Sequence, residues 1–239
     1  MERGTGSSHV DRHVARARRK RKKGAEEDAK EVAVTGLFIA FEGGDSVGKS
    51  TQVEYLAAHL AGLDVDRVVT RQPGGTQLGA TLRRLLLDPA TGDVDARAEA
   101  LTYAADKAQH VHELIAPALA GGKVVITDRY VDSMIAYQGA GRALNLDEVS
   151  RIAWWAVGGL RPHLTILLDA DPADAVHRIA TKDRLEDAGT EFHRRARQHF
   201  LDLAAQRPDE YLVMHARAPR EEIAGRVADA VDALLARRA

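Results

Sequence analysis

At 239 residues the chain lies at the upper end of what one hydrophobic core supports, and its 45% apolar and 29% charged residues are those of a globular protein. It has no cysteine, which excludes a disulfide framework, a thiolate metal site and a cysteine nucleophile, and is compatible with a reducing cytoplasm. The net charge of −1 is unevenly spread: residues 1–31 hold ten Lys or Arg against six Asp or Glu, a balance of +4 that leaves −5 on the rest and argues against a general nucleic-acid-binding face.

Residues 1–34 show no hydrophobic periodicity. A basic run of Arg16, Arg18, Arg19, Lys20, Arg21, Lys22 and Lys23 is followed by Glu26, Glu27 and Asp28. Such a segment buries too little apolar surface to offset the entropy of ordering, so it reads as a disordered basic tail or linker ahead of a domain spanning 35–239. An electrostatic contact with RNA, an anionic lipid or a protein partner is the functional alternative to a solvated tail. No apolar run follows the basic residues, as a secretory signal would require, and no stretch approaches the ~18 apolar residues of a membrane span.

From Leu37 onward, short apolar runs alternate with longer helical stretches. Residues 37–41 form a first strand that ends in glycine, and residues 52–61 a first helix. A second strand at 68–70 runs into Arg71-Gln72-Pro73-Gly74-Gly75-Thr76. A helix over 98–119 places Leu101, Ala105, Ala108, His112 and Ile115 on one stripe. The third strand, 124–127, ends in Asp128-Arg129-Tyr130. After it come a helix at 146–157, a strand at 164–168, helices at 172–181 and 191–206, a weaker strand at 211–214 and a last helix at 219–237. Pro172 and Pro219 suit first-turn positions. Continuous β-rich runs without alternation indicate strands buried on both faces. The expected fold is therefore α/β, three layers with a five-stranded parallel sheet flanked by helices, and the motif Gly43 to Thr51 at the first strand–helix junction makes it a P-loop NTPase fold.

The strongest local signal is Gly43-Gly44-Asp45-Ser46-Val47-Gly48-Lys49-Ser50-Thr51, which fits G-x-x-x-x-G-K-[ST] between a strand and a helix. Its glycines let successive N–H groups turn toward one phosphate, and the helix N-terminus adds positive potential. Lys49 is expected to bridge the outer phosphates of ATP and the Ser50 hydroxyl to ligate Mg2+. Asp128, at a strand's carboxyl end, is placed to hold the same metal directly or through water. Arg71 and Arg129 emerge from strand ends on either side. Two fixed guanidinium groups suit a reaction that brings an anionic donor and an anionic acceptor together. That favours a kinase over a switch or a motor.

Together these motifs resemble the thymidylate kinase family. The resemblance runs from about Leu37 to the C-terminus through Phe41 to Thr51, Arg71 to Thr76, Asp128-Arg129-Tyr130, Ser133 and Ala136-Tyr137-Gln138-Gly139. It implies ATP-dependent phosphorylation of dTMP to dTDP, with a kinase for dUMP or a modified pyrimidine nucleotide as the alternative and a non-catalytic nucleotide-binding module as a third reading. It implies that Tyr103 stacks on the thymine ring, that Lys107 meets a base carbonyl, that Gln138 contacts the pyrimidine edge and that Tyr137 packs the deoxyribose. Asp45 then approaches the acceptor's sugar hydroxyl, and Arg83, on the helix after the glycine turn, is a further candidate for acceptor contact. Residues 178–187 match the lid, with Arg184 as its catalytic cation and Arg178 or Lys182 as alternatives. A homodimer is also implied, and with the composition and charge above the expectation is a cytoplasmic protein that needs no nucleic acid. Trp154 and Trp155 read as helix packing against the sheet or a partner subunit, and the ten histidines show no metal-ligand spacing. Three positions depart from the family pattern: Gln72 stands in place of a common glutamate, Lys107 in place of an arginine, and Ser46 adds polarity to the loop.

Overall fold

A computed structural model describes residues 35–175, 185 and 188–238. The expected tail at 1–34 and the lid cations Arg178, Lys182 and Arg184 lie outside the described residues, as does most of the helix read at 172–181.

Five strands appear where the apolar runs stood: β1 (Leu37–Gly43), β2 (Arg67–Arg71), β3 (Val124–Asp128), β4 (Leu164–Asp169) and β5 (Tyr211–His215). They pair in the order β2-β3-β1-β4-β5, every pair parallel. Central β1 is buried at all seven positions, whereas the edge strands β2 and β5 are only partly covered. The unalternating composition of Leu-Phe-Ile-Ala-Phe follows from that position, because both of its faces meet helices.

Leu37, Ile39 and Phe41 point to one side of the sheet. They pack there with Val53, Leu56 and Leu60 of α1 (Lys49–Gly62) and Ile223, Val227 and Val231 of the C-terminal helix at Arg220–Ala236. Phe38 and Ala40 point to the other side. They meet α3 (Ala96–His110), α5 (Val131–Met134) and α6 (Leu146–Ala156) through Ala100, Tyr103, Met134, Val149 and Ala153. A third cluster joins Tyr137 and Leu167 to Phe192, Phe200 and Ala204 of α8 (Thr190–Gln206). Fully burying a side chain such as Phe38 or Ile39 stabilises the fold by roughly 2 kcal/mol. The remaining helices are α2 (Gln77–Leu87), capped by the Thr76 hydroxyl accepting from Gly79 N–H, the short α4 (Ala116–Ala120) and α7 (Pro172–Ala175), and α9, the C-terminal helix, for which Pro219 is the cap and not a first-turn residue.

Two segments differ from the sequence reading. On α3 the stripe expected through Leu101 is wrong: Leu101 is 57% exposed, and of the five residues assigned only Ile115 is buried. The buried face carries Glu99, Tyr103, Asp106, Lys107 and His110, polar groups that a hydropathy pattern assigns to solvent. A π turn at Val111–Ile115 then shifts the phase before α4. The second segment, Val131 to Gly141, has no counterpart among the expected helices. It forms α5 and a further π turn at Ile135–Gly141, and it is buried nearly all round, so it has no period to detect.

Candidate active site

The phosphate loop joins β1 to α1. Gly43 has φ 130° and lies so close to β4 that a Cβ would fall 2.3 Å from the Leu168 carbonyl oxygen, so no other residue fits there. Lys49 is buried and turned back into the loop, donating to the carbonyl oxygens of Gly43 at 3.2 Å and of Gly44. Burial pushes its ammonium down to about 8. Arg129 adds to the fall, while Asp128, Asp45 and Glu42 oppose it. The Ser50 hydroxyl donates to Asp128 Oδ2 at 2.8 Å, so the two expected metal ligands do meet at the loop mouth. One hydroxyl and one carboxylate suit a hard, oxygen-seeking cation that completes its shell with phosphate and water. Among the described residues no cluster of three His, Cys, Asp or Glu could hold a metal.

Arg129 follows β3 in the left-handed region (φ 69°), and its N–H is held by the Phe41 carbonyl at 2.8 Å. The guanidinium donates to the Gly43 carbonyl and the Ser133 hydroxyl, both at 3.0 Å, pairs with Asp45, and lies 5.1 Å over the Tyr137 ring. Burial works to raise the Asp45 pKa, but Arg129, Lys49 and His193 outweigh it and hold the carboxyl below its usual value. Other neighbours act on Arg129: although burial opposes it, Tyr137, Asp45, Asp128 and Glu42 raise its pKa.

Glu42 fixes this turn from beneath. Fully buried, its carboxylate accepts from the N–H groups of Tyr130 at 2.8 Å and Ser133 at 3.1 Å and from the Ser133 hydroxyl. It stands immediately before the phosphate-loop motif, and no spacing argument assigns it this role. Burial and nearby Asp132 push its pKa up, against Ser133, Arg129 and Lys107.

A cleft of about 530 Å³ opens beside Arg129 and brings together Asp45, Arg83, Tyr103, Lys107, Tyr137 and Gln138, residues from four separate segments. Lys107 donates to Gln72 Oε1 at 2.9 Å and to the Tyr130 carbonyl at 2.7 Å. Burial brings its ammonium to about 8, partly countered by Asp106 and Glu42. Gln72 Nε2 donates in turn to His110 Nδ1 at 2.8 Å, and His110 Nε2 lies 2.7 Å from the Thr70 hydroxyl. Burial, with Lys107 adding, pushes His110 down to about 4, so the ring is neutral and its proton sits on Nε2. The turn above leaves no spare room, since a Cβ on Gly75 would fall 2.4 Å from that Nε2. The Gln72–Pro73 peptide in it is cis.

On the far wall, Gln138 Nε2 donates to Glu99 Oε1 at 3.0 Å, and Arg142 binds both oxygens of Glu99 at 3.1 and 3.0 Å. Arg83 reaches the Pro73 carbonyl at 3.1 Å. Arg71 does not join this group: it stays exposed at the end of β2, opposite Asp128 in register, and does not line the cleft. A second cleft, of about 450 Å³, lies behind the phosphate loop between Ser46, Gly48 and Thr51 and the residues Ala216, Arg217 and Arg220 after β5.

Sequence reasoning missed Glu99, His110 and Thr70. A signal for the first two was present. Glu99, Tyr103, Lys107 and His110 stand four, four and three residues apart, one face of a helix, so following the Tyr103–Lys107 face one turn each way reaches both.

The sequence pattern of the family described as thymidylate kinase matches residues 41–227. The thymidylate kinase of Cutibacterium acnes is 54% identical over 202 residues, covering 84% of this chain and 99% of that protein. That of Bifidobacterium longum is 51% identical over 194 residues, covering 80% and 94%. Among solved structures, the crystal structure of thymidylate kinase from Ehrlichia chaffeensis superposes with a TM-score of 0.69 at 29% identity, covering 82% of this chain and 98% of that one.

Proposed function

The chain belongs to the thymidylate kinase family, and on that premise we propose that it moves the terminal phosphoryl group of ATP onto dTMP, releasing dTDP and ADP. The observation that carries this reading is the position of Arg129. It stands between the phosphate loop and the acceptor cleft and is bound to Gly43 on one side and to Asp45 and Ser133 on the other.

The chemistry follows from charge and position, with no covalent intermediate on the protein. The triphosphate of ATP displaces the Gly43 and Gly44 carbonyls from Lys49, whose ammonium then bridges the outer phosphates. Ser50 and Asp128 would hold Mg2+, which when bound offsets phosphate charge. Arg129 screens the acceptor phosphate from the donor, so that an anionic oxygen can approach an anionic phosphorus in line. Tyr103 stacks on the base, Lys107 and Gln138 meet its edge, Tyr137 packs the sugar, Asp45 faces the sugar hydroxyl, and Arg83 is a further acceptor contact. The second cleft suits the nucleoside part of ATP. Arg184 remains the proposed lid cation, and Arg71 a proposed acceptor contact.

Assaying the purified protein with ATP and Mg2+ against dTMP, dUMP, dCMP and dGMP tests the reading. The expected outcome is a clear preference for dTMP, and preference for any other acceptor would overturn it. A cytoplasmic homodimer is part of the same proposal. Its support is Trp155 on α6, 82% exposed, together with exposed Leu78 and Leu85 on α2 and Leu101 on neighbouring α3. No helix among the described residues is long and apolar enough to cross a membrane. Light scattering that returned the mass of one chain would count against the dimer.

A further inference from the structure

We propose that Glu99 is a positioning residue that fixes which end of the Gln138 amide faces the acceptor base, and so makes the cleft select a base with a ring N–H over one with a bare ring nitrogen. The inference rests on the reading of Gln138 as a base contact and adds the reason for its selectivity.

An unconstrained glutamine side chain can turn either its oxygen or its nitrogen toward a ligand. Gln138 is not unconstrained. It is 1% exposed, and its terminal amide lies 3.0 Å from a carboxylate oxygen of Glu99, itself completely buried. Arg142 grips Glu99 through Nε and Nη2 at 3.1 and 3.0 Å, a two-point charge-assisted contact in which each carboxylate oxygen accepts from the guanidinium. An ionised carboxylate only accepts hydrogen bonds. The nitrogen of Gln138 must therefore face Glu99, because the reverse orientation would set two buried oxygens against each other at 3.0 Å. The carbonyl oxygen is then the end that Gln138 presents to the cleft it lines.

The opposite polarity is presented by Lys107, a pure donor, anchored by Gln72 and the Tyr130 carbonyl. The cleft thus offers one acceptor and one donor at fixed places. The edge of thymine or uracil carries a ring N–H beside an exocyclic carbonyl and complements both. Cytosine carries a bare ring nitrogen beside an exocyclic amine, so it sets lone pair against lone pair at Gln138 and donor against donor at Lys107. Leaving buried polar groups unpaired in this way is the costliest form of mismatch available to a binding site. Uracil and thymine share the edge, so Glu99 does not separate them.

The test measures kcat/KM for dTMP and for dCMP in the full-length protein and in Glu99→Gln, Glu99→Asp and Gln138→Met. In Glu99→Gln the partner can donate as well as accept, so the Gln138 amide turns freely. The ratio of dTMP to dCMP should then fall by about ten-fold or more, while KM for ATP stays unchanged. Glu99→Asp keeps an acceptor-only carboxylate and should retain the ratio even where KM rises for both acceptors. An unchanged ratio in a folded Glu99→Gln variant would overturn the proposal. If that variant does not fold, a Glu99→Asp variant that discriminates no better than Gln138→Met overturns it instead. Gln138→Met separates the two levels: if it leaves the ratio intact, the base-contact reading of Gln138 fails, whereas collapse there without collapse in Glu99→Gln removes only the role of Glu99.

Discussion

The phosphate loop and the acceptor cleft lie on either side of Arg129, and they keep their polar groups satisfied by different means. In the loop, Lys49 is bonded to carbonyls of its own turn and Ser50 to Asp128. These are partners that a triphosphate and a cation can displace. In the cleft, Lys107 and Gln138 are held by side chains that are themselves fixed, Gln72 by His110 on one wall and Glu99 by Arg142 on the other. On the proposed function, the donor side would therefore reorganise on binding, while the acceptor side would be built in advance. Binding free energy on the donor side is partly consumed in breaking internal bonds. On the acceptor side more of it appears as affinity and discrimination.

If that contrast holds, changes in the loop should act on turnover and changes in the cleft on acceptor KM. The largest effect is expected from Lys49→Ala, with kcat lower by roughly 10³-fold or more and the fold intact by circular dichroism and thermal melting. Near-normal turnover would remove the phosphate loop from the reaction.

A smaller effect separates the two lysines. Both ammonium groups are brought to about 8, and both act in their charged form, so charge is complete below that value and lost as pH rises through it. With ATP saturating, its phosphates hold Lys49 charged, leaving Lys107 to titrate. In the native protein kcat/KM for dTMP should therefore decline between about pH 7 and 9. Lys107→Arg places a group that does not titrate in that range, and the decline should disappear for dTMP but persist in kcat/KM for ATP. The same alkaline fall for dTMP in both proteins would show that Lys107 does not meet the acceptor. The smallest effect is expected from removing residues 1–34, which should leave both kinetic constants almost unchanged. A large fall in kcat would place that segment in the site.

How much of this could be read in advance depended on where each signal resides. Strand positions were legible because β1 and β3 are sandwiched between helices, which demands an uninterrupted apolar run. Asp128 and Arg129 were legible because strand ends are where open parallel sheets gather chemistry. The buried face of α3 was not, because it is lined by Glu99, Asp106, Lys107 and His110, whose burial is compensated by partners distant in sequence. A local pattern sees four polar residues and turns them outward. Only the pairing of His110 with Gln72 and Thr70, and of Glu99 with Gln138 and Arg142, explains why they point in.

Gln72 and Lys107 stand 35 positions apart and entered as two separate departures from the family pattern, yet their side chains form one contact of 2.9 Å. A lineage altering one of them meets the other as its environment. Glutamate at position 72 would set a second acceptor-only group against the bare Nδ1 of His110, forcing the ring to change tautomer or take up a proton. The merit of any residue at one position is thus defined only in the company of the other two. A paired exchange can succeed along an evolutionary path where each single step is penalised.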